Sequence, residues 1–558
     1  MAKSQSPTYK KEWTKIDSLV NKKGLTKDAL TEVGKLYERA KKEKNDAQLI
    51  KSLLYKLNLQ EAIEEDASVK NIQQLEKEIT GAKEPAKSIL QTITAVYHLN
   101  YFQNNRYRLY GRTNTVSFKK TDISTWTATD FHNRIGQLFK ASLKNETLLQ
   151  QTSLEKFDAI ITKGNVRNLR PTLFDLLAHK ALEYFSNDEQ DLDKPAYAFE
   201  ISQEAAFAPA KEFVKEKFET KDSASLHHEA LLLYQRLISF HLADKNPDAL
   251  VDVDINRLQF AKLYSILAEK DALYNKSLVA LTEQYRNQPV ANNAWILIAQ
   301  SHYDNTSEDH EAFPDGYIKA KEICDQIAST KDSSFAFQHA VQLLNSIKHK
   351  QLNIQIERVN LPKQPFRALV SYRNTEKIYV RILSIDKKTK EILSTKHDWE
   401  KDYWQYLQKI NPLMAYQQEL PVTKDFLEHK VEIKVDGLPN GEYAIFTSTD
   451  NDFKVRESTL AIQFIYVSSL AWLNNGNDFY VVNRESGQPQ ARTNVQVWYR
   501  YYDSQKNSYQ KRKGENLVTD KNGFFHIEES RTNTNNSFSL ELSKEGDYLF
   551  MDDQNVNS

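Results

Sequence analysis

Few residues in this chain combine the type and the spacing that chemistry needs. Cys324 is its single cysteine, which excludes an internal disulfide or a multi-cysteine metal site. Within IKAKEICDQIAS it reads as a small buried apolar residue rather than a reactive thiol. His227-His228-Glu229 puts imidazole and carboxylate together, the donor set of a zinc site. Neighbouring helical residues point about 100° apart and cannot grip one ion as an i,i+4 pair does, so a solvated helix start is expected. Asp248, Asp252 and Asp254, and the run Glu308-Asp309-His310-Glu311, carry enough oxygen to attract Ca²⁺. Both lack the ordered ligand spacing and glycine of an EF-hand, and both are expected to be exposed loops. Trp399, Tyr403, Trp404 and Tyr406 offer an aromatic platform for a glycan or peptide. At helical spacing, Trp399, Tyr403 and Leu407 read instead as one face packed on the domain beneath. Lys511-Arg512-Lys513 beside Tyr499 and Tyr509 has the cation and ring mixture of a nucleic-acid site, and an exposed hairpin is the preferred reading.

Sequence motifs for catalysis are missing. The chain has no GxxxxGK[ST] or GxGxxG phosphate loop, no HExxH and no GxSxG, and its carboxylates are too numerous for any pair to be nominated as acid and base. The expectation is therefore a protein that is not an enzyme, with no catalytic, cofactor-binding or metal-binding residue and no cofactor. Lysine plus arginine and aspartate plus glutamate both number 75, so no global field draws nucleic acid or an anionic membrane. No apolar run reaches the roughly 18 residues of a membrane helix. The opening MAKSQSPTYK lacks the apolar core of a secretory signal, which fits either a cytoplasmic protein or a processed exported one.

At 558 residues three or four domains are expected. Glycine and proline, 14 each, are scarce enough to favour helix over an all-β array. From Tyr9 to about Lys350 apolar residues recur at helical spacing. Ala29, Leu30, Val33, Leu36, Tyr37 and Ala40 form one stripe; Ile50, Leu53, Leu54 and Leu57 form the next. Residues 107–124 read as an irregular connection and 187–195 as a break, and 199–218 resist assignment. Pro171 is predicted to open a helix through Leu173, Leu177, Ala181 and Phe185. Later helices are predicted over 232–242, 258–267, 278–285, 295–303, 317–327 and 335–347. Trp295, Ile298, Ala299 and Ala320 fit a degenerate tetratricopeptide-type pair. A helical solenoid is expected, whose concave face either binds a peptide or another domain of the same polypeptide, or serves only as a rigid spacer.

Near residue 351 the period becomes two. Leu352, Ile354 and Ile356 alternate, as do Phe366, Ala368, Val370 and Tyr372; Ile378, Val380 and Ile382; Val431, Ile433 and Val435; and Leu460, Ile462, Phe464 and Tyr466. That density predicts β-sandwich structure. Tyr443 and Tyr548 each follow a turn and are placed to anchor a corner through the hydroxyl. Phe479 to Val482 and the alternating Thr493, Val495, Val497, Tyr499 and Tyr501 predict two more strands. Between them Gly487 supplies positive φ, and Asn522-Gly523 predicts a hairpin between two later strands. The predicted fold is a multidomain α plus β chain: a helical domain at 1–215, tetratricopeptide-like hairpins at 216–350, and two antiparallel β-sandwiches at 351–470 and 471–558.

YVVNRESGQPQARTNVQVW followed by TDKNGFF resembles a macroglobulin-type β-sandwich module of the large α2-macroglobulin-like proteins of Bacteroidetes. KEWTKIDSLVNKKGLTKDAL, RPTLFDLLAHKALEYF and YRNTEKIYVRI resemble the region preceding the main macroglobulin run of those proteins. The resemblance implies a non-catalytic N-terminal portion of an endopeptidase inhibitor, scaffolding a protease-trapping array. It also implies export, with a periplasmic or outer-membrane-associated location. Proteases would be partners through a downstream region, and an envelope protein is a further possible partner. Family members trap proteases through a cleaved bait segment, and many carry a thioester in a CxEQ motif. Cys324 in ICDQIA does not match that motif, and neither a bait region nor a YRPGQ-like start of a following module is found. The chain is therefore expected to be part of a larger protein. A different class of function, a cell-envelope adaptor binding protein or peptide through its solenoid, is the alternative, and a glycan-binding module using Trp399 and Trp404 is a third.

Overall fold

Apolar residues three and four apart, separated by short polar breaks, make the first part of the chain all-helical. A computed structural model describes residues 7–65, 67–110, 122–164, 166–187, 197–331, 334–456, 458–505, 507–528 and 537–555. The chain divides into two units, Met1–Ile298 and Ala299–Ser558.

In the first unit the stripe on helix Thr26–Glu43 buries Ala29, Val33, Leu36, Tyr37 and Ala40. Tyr9, Trp13 and Ile16 of helix Pro7–Asn21 pack on it. The break at Lys44-Asn45 has a physical cause. Lys44 ends one helix in the left-handed region at φ 54°, and the Asn45 side chain caps the next by accepting from the Gln48 N–H. The expected irregular stretch from residue 107 is corrected, because helix Ala86–Tyr110 runs on for 25 residues. Residues 111–121 of that stretch, and 188–195 of the expected break, lie outside the described residues. Pro171 is not the first helical residue. Helix Leu173–Phe185 is capped by Thr172, whose side chain accepts from the Asp175 N–H while the Asp175 carboxylate accepts from the Thr172 N–H. Residues 199–218 resolve into short turns, Glu204–Phe207 and Ala210–Phe213, within irregular chain.

The second unit contains the helical pair Gly316–Ser329 and Phe335–Lys348, followed by β1 (Gln351–Ile356), β2 (Val359–Asn360), β3 (Phe366–Arg373), β4 (Lys377–Ser384), β5 (Met414–Glu419), β6 (His429–Val435), β7 (Gly441–Ser448) and β8 (Leu460–Val467). These form a three-stranded sheet β1-β3-β6 and a five-stranded sheet β2-β8-β7-β4-β5. Ala368, Val370, Ile378, Val380, Ile433 and Ile445 lie in the shared core. All described pairs are antiparallel except β2 with β8.

The five-stranded sheet is covered on both faces. Tyr443 and Ile445 face the sandwich interior, whereas Ala444 and Phe446, their neighbours on β7, pack with Tyr403, Leu407 and Phe453. The cover comes from two helices inserted between β4 and β5, Lys387–Ser394 and Lys401–Lys409. On β8 the alternation Leu460, Ile462, Phe464 therefore marks the helix-covered face, and Ala461, Ile465 and Val467 are the sandwich-core set.

β9 (Leu470–Asn475), β10 (Asp478–Asn483), β11 (Asn494–Asp503), β12 (Ser508–Val518), β13 (Phe524–His526), β14 (Ser537–Lys544) and β15 (Asp547–Asn555) build a second sandwich. Its sheets run β13-β10-β9 and β12-β11-β14-β15. The predicted burial holds for Thr493, just before β11, and for Val495 and Val497 on it, and fades outward, with Tyr501 40 % exposed. Gly487 does take positive φ, at +69°. The turn at Asn522-Gly523 is not a hairpin. β12 pairs with β11 and β13 with β10, so the turn carries the chain between sheets. Gly523 makes this close crossing possible: a Cβ there would sit 2.3 Å from the Val481 carbonyl oxygen. The fold class is thus an all-α N-terminal region followed by antiparallel β-sandwiches.

Candidate functional site

The residues with apparent chemistry disperse into structural roles. Cys324 is fully buried on helix Gly316–Ser329, and burial pushes its thiol up to about 12, far from a reactive thiolate. His227, His228 and Glu229 do begin a helix, Leu226–His241, but they are not fully solvated. The His227 ring lies 4.2 Å from Tyr264, His228 Nε2 donates to the Phe218 carbonyl at 2.6 Å, and Glu229 meets Lys140 at 2.7 Å. The expected acidic loop at 248–254 is corrected: Asp248–Tyr264 is a helix. Its Ala249, Leu250, Val251, Val253 and Ile255 are all buried, an apolar content that outweighs the intervening carboxylates. Asp309 lies in a turn, its Oδ1 accepting from the Glu311 and Ala312 N–H groups. Among the described residues no three histidine, cysteine or acidic side chains gather as metal ligands.

The aromatic insertion separates its two tryptophans. Tyr403 and Leu407 are buried as expected, but Trp399 is 76 % exposed and stacks on His397 at 4.3 Å. Trp404 takes the packing role instead. Its ring stacks on Phe446 and its Nε1 donates to the Asp398 carbonyl at 2.6 Å. Lys401 begins the helix only after Trp399, so helical spacing does not extend back to that residue.

Sequence reasoning missed a buried titratable cluster in the first unit. His241 Nε2 donates to Asp175 Oδ1 at 2.7 Å and Nδ1 to Asp244 Oδ2 at 2.7 Å. Two such donations require the imidazolium. Burial opposes that charge, but the bonds and charges of Asp175 and Asp244 outweigh it and raise the His241 pKa. One turn after Asp175, burial and then the Arg170 charge hold His179 down at about 4. His179 is thus neutral near pH 7, and its 3.9 Å approach to Asp252 is not an ion pair there. The hydroxyl at the cluster, Thr172 Oγ1, donates to Asp175 Oδ2 at 2.8 Å and accepts from the Asp175 N–H. It is occupied as a helix cap and is not presented as a nucleophile. The i,i+3 pair His241 and Asp244 was legible in sequence; Asp175, 66 residues away, was not.

A cleft of about 390 Å³ in the same unit is lined by Phe207, Leu258, Leu273 and Arg257. Arg257 is buried and committed. Its Nε donates to Asp254 Oδ1 at 3.0 Å, its Nη1 donates to the Ala206 carbonyl, and its plane lies 4.5 Å from the Phe213 ring centre.

In the second unit a polar constellation lies where the sandwiches meet. Only Ser468 and Ser469 separate β8 from β9. The Ser468 N–H donates to the Asn360 carbonyl at 3.0 Å and the Arg484 N–H to the Ser469 carbonyl at 2.6 Å. The Ser469 N–H donates to Asp547 Oδ2 at 2.8 Å. Lys390 Nζ meets Glu442 at 2.8 Å, donates to the Tyr466 hydroxyl at 2.7 Å and lies 5.0 Å from the Phe550 ring centre. Val359 and Tyr466 of the first sandwich join the apolar core of the second. Nearby, Tyr443 anchors its corner as predicted, its hydroxyl donating to the Pro439 carbonyl at 3.0 Å. At the second such corner the neighbouring Asp547 supplies the tie to Ser469.

No family model matches the chain, and no curated protein matches it. Among solved structures it is similar to Escherichia coli alpha-2-macroglobulin spanning domains NIE-MG1. That likeness covers 36 % of this chain and 97 % of that one, at 15 % identity and a TM-score of 0.25. Salmonella alpha-2-macroglobulin reacted with methylamine is similar over 38 % of this chain and 17 % of that one, at 8 % identity and a TM-score of 0.17. Red sea bream transglutaminase is similar over 40 % and 32 %, at 9 % identity and a TM-score of 0.17. Likenesses this low carry no residue role and no activity to this chain.

Proposed function

We propose that this chain is a non-catalytic scaffold within an α2-macroglobulin-like endopeptidase inhibitor of the Bacteroidetes type. The observation that carries the reading is the joint at Ser468-Ser469: two sandwiches linked without slack, with hydrogen bonds on both linker residues and a shared apolar core. A scaffold needs fixed geometry between modules, and interfaces with buried apolar contacts supply it where flexible linkers do not. The YVVNRESGQPQARTNVQVW segment supports the macroglobulin part of the reading. In this proposal 1–215 and 216–350 are helical domains, the latter tetratricopeptide-like, and 351–470 and 471–558 are macroglobulin-type modules. Proteases are the partners of the whole inhibitor, whose place is the periplasm or the outer membrane.

The test uses the native protein from its source cells, incubated with a broad-specificity protease. The expected result is a complex in which the protease still cleaves a small peptide but no longer a large protein. A native protein that neither retains protease nor changes shape on exposure to it overturns the inhibitor reading.

A further inference from the structure

β5 stands at the end of the order β2-β8-β7-β4-β5, so among the described residues one side of its backbone pairs with no strand. Its bonding to β4 follows one parity. The Leu420 N–H donates to the Glu376 carbonyl at 2.8 Å, in the register that sets Ile378 across from Gln418 and Val380 across from Tyr416. Alternate residues of an antiparallel strand direct their N–H and C=O groups to opposite sides. The even-numbered residues of β5 therefore bond to β4, and Ala415, Gln417 and Glu419 direct theirs to the open edge. On β4 the odd-numbered residues serve β7, in line with the Ile385 N–H donating to the Glu442 carbonyl at 2.9 Å. All three outward residues of β5 are exposed.

Side chains on the strand leave these backbone groups available. Gln417 Nε2 donates to the Glu419 carboxylate, a contact within the strand that uses neither backbone. The Glu419 carbonyl accepts from Gln418 Nε2 at 2.8 Å and keeps a second lone pair. The usual protection against edge pairing is missing here. Between Met414 and Glu419 stands no lysine, arginine or proline, whereas β6, an end strand of the facing sheet, carries exposed Lys430, Glu432 and Lys434. Pro412 and Pro421 bound the stretch that can pair.

The open groups fit a second copy of the same strand. Antiparallel pairing about a two-fold axis at Gln417 sets Gln417 across from itself and Ala415 across from Glu419. Each outward N–H then meets an outward carbonyl. The charge of the strand, Glu419, faces an alanine. Its counterpart lies four residues along, about 14 Å away, beyond the screening length of about 8 Å. The same axis brings the start of one strand to the end of the other. Leu413 and Met414 come beside Val422 of the second copy, and all three are exposed apolar residues.

We propose that two copies of this chain pair through the open edge of β5, antiparallel and with the two-fold axis at Gln417. The contact is isologous, the same strand serving both copies, and the joined sheet runs across the pair. This inference stands apart from the inhibitor reading and survives its failure.

Sedimentation velocity of the full chain over a concentration series tests it. A pair of six-residue strands is a small interface, so a reversible dimer with a dissociation constant of about 10–100 µM is expected. Gln417→Glu sets like charges directly across the axis and should weaken the dimer about tenfold or more. An equimolar mixture of Gln417→Glu with Gln417→Lys sets opposite charges there and should restore it. Gln417→Pro removes an outward N–H without touching the bonds to β4 and should weaken the dimer likewise. Thermal unfolding at low concentration, unchanged in the Gln417→Glu and Gln417→Lys variants, separates loss of pairing from loss of fold.

A chain that stays monomeric up to about 0.3 mM overturns the proposal and leaves the edge to a different partner. A dimer indifferent to both Gln417→Glu and Gln417→Pro overturns it too, because the contact then lies elsewhere. So does a mixture of the charged variants that fails to re-form the dimer, since the axis at Gln417 would be wrong.

Discussion

Asp547 and Ser469 stand 78 residues apart in sequence, yet one carboxylate oxygen, Asp547 Oδ2, accepts from both the Ser469 N–H at 2.8 Å and its hydroxyl at 2.5 Å. That oxygen fixes the start of β15 to the two-residue link before β9. Charge-assisted bonds to backbone N–H groups are among the stronger ones, and stranding the donor adds its desolvation cost. Asp547→Ala should destabilise the second unit by about 1–3 kcal/mol. Asp547→Asn, which keeps an acceptor, should cost less. Urea denaturation followed by tryptophan fluorescence measures both, and an unchanged midpoint for the alanine variant would remove the clamp from the stability of the joint.

Two histidines of the first unit give its stability opposite pH slopes. The folded pKa of His241 lies above its ordinary 6.5, so its contribution is fully present below 6.5 and is lost as pH rises through the raised value. His179 is held down at about 4, so the unfolded chain takes up a proton between 6.5 and 4 that the folded chain refuses. Stability therefore falls as pH drops through that window. Denaturation midpoints of the first unit, measured across this range, should show His179→Asn flattening the acid limb and His241→Asn flattening the alkaline limb. Unaltered limbs in both variants would contradict these assignments.

The tryptophans of the insertion should respond in opposite ways to truncation. Trp399→Ala removes a ring that is 76 % exposed and should change stability by no more than about 0.5 kcal/mol. Trp404→Ala removes the ring against Phe446 and the bond to the Asp398 carbonyl, and should cost about 2–3 kcal/mol. Thermal unfolding of the two variants side by side checks this. Equal losses would mean that Trp399 packs after all.

The elements were legible where local pattern and final burial coincide. The stripe from Ala29 to Ala40, the alternation of Ile378, Val380 and Ile382, the positive φ of Gly487 and the corner at Tyr443 all follow from nearest-neighbour chemistry. What escaped depends on partners distant in sequence. Helix Asp248–Tyr264 was hidden by its aspartates: Asp254 pairs with Arg257 one turn along, but the Ala206 carbonyl that completes the buried Arg257 is 51 residues away. The Asn522-Gly523 turn has hairpin residues, but Phe525 pairs with Phe479 of β10, in the sheet that does not contain β12, their rings 5.0 Å apart. Leu460, Ile462 and Phe464 alternate as a core strand should, and nothing local says that a helical insertion, not the second sheet, covers them. The Asp175 and His241 pair required the fold itself.

A link of two residues also has a mechanical meaning. Ser468 and Ser469 at about 3.4 Å per residue offer no spare length to extend, so tension between β8 and β9 has no slack to consume before it loads the bonds that flank them. Asp547 ties the same point to β15, and Lys390 lies beside Phe550 of that strand. A pull or twist on one sandwich is thus delivered to its neighbour as torque, and the joint behaves as a rigid coupling, not a hinge.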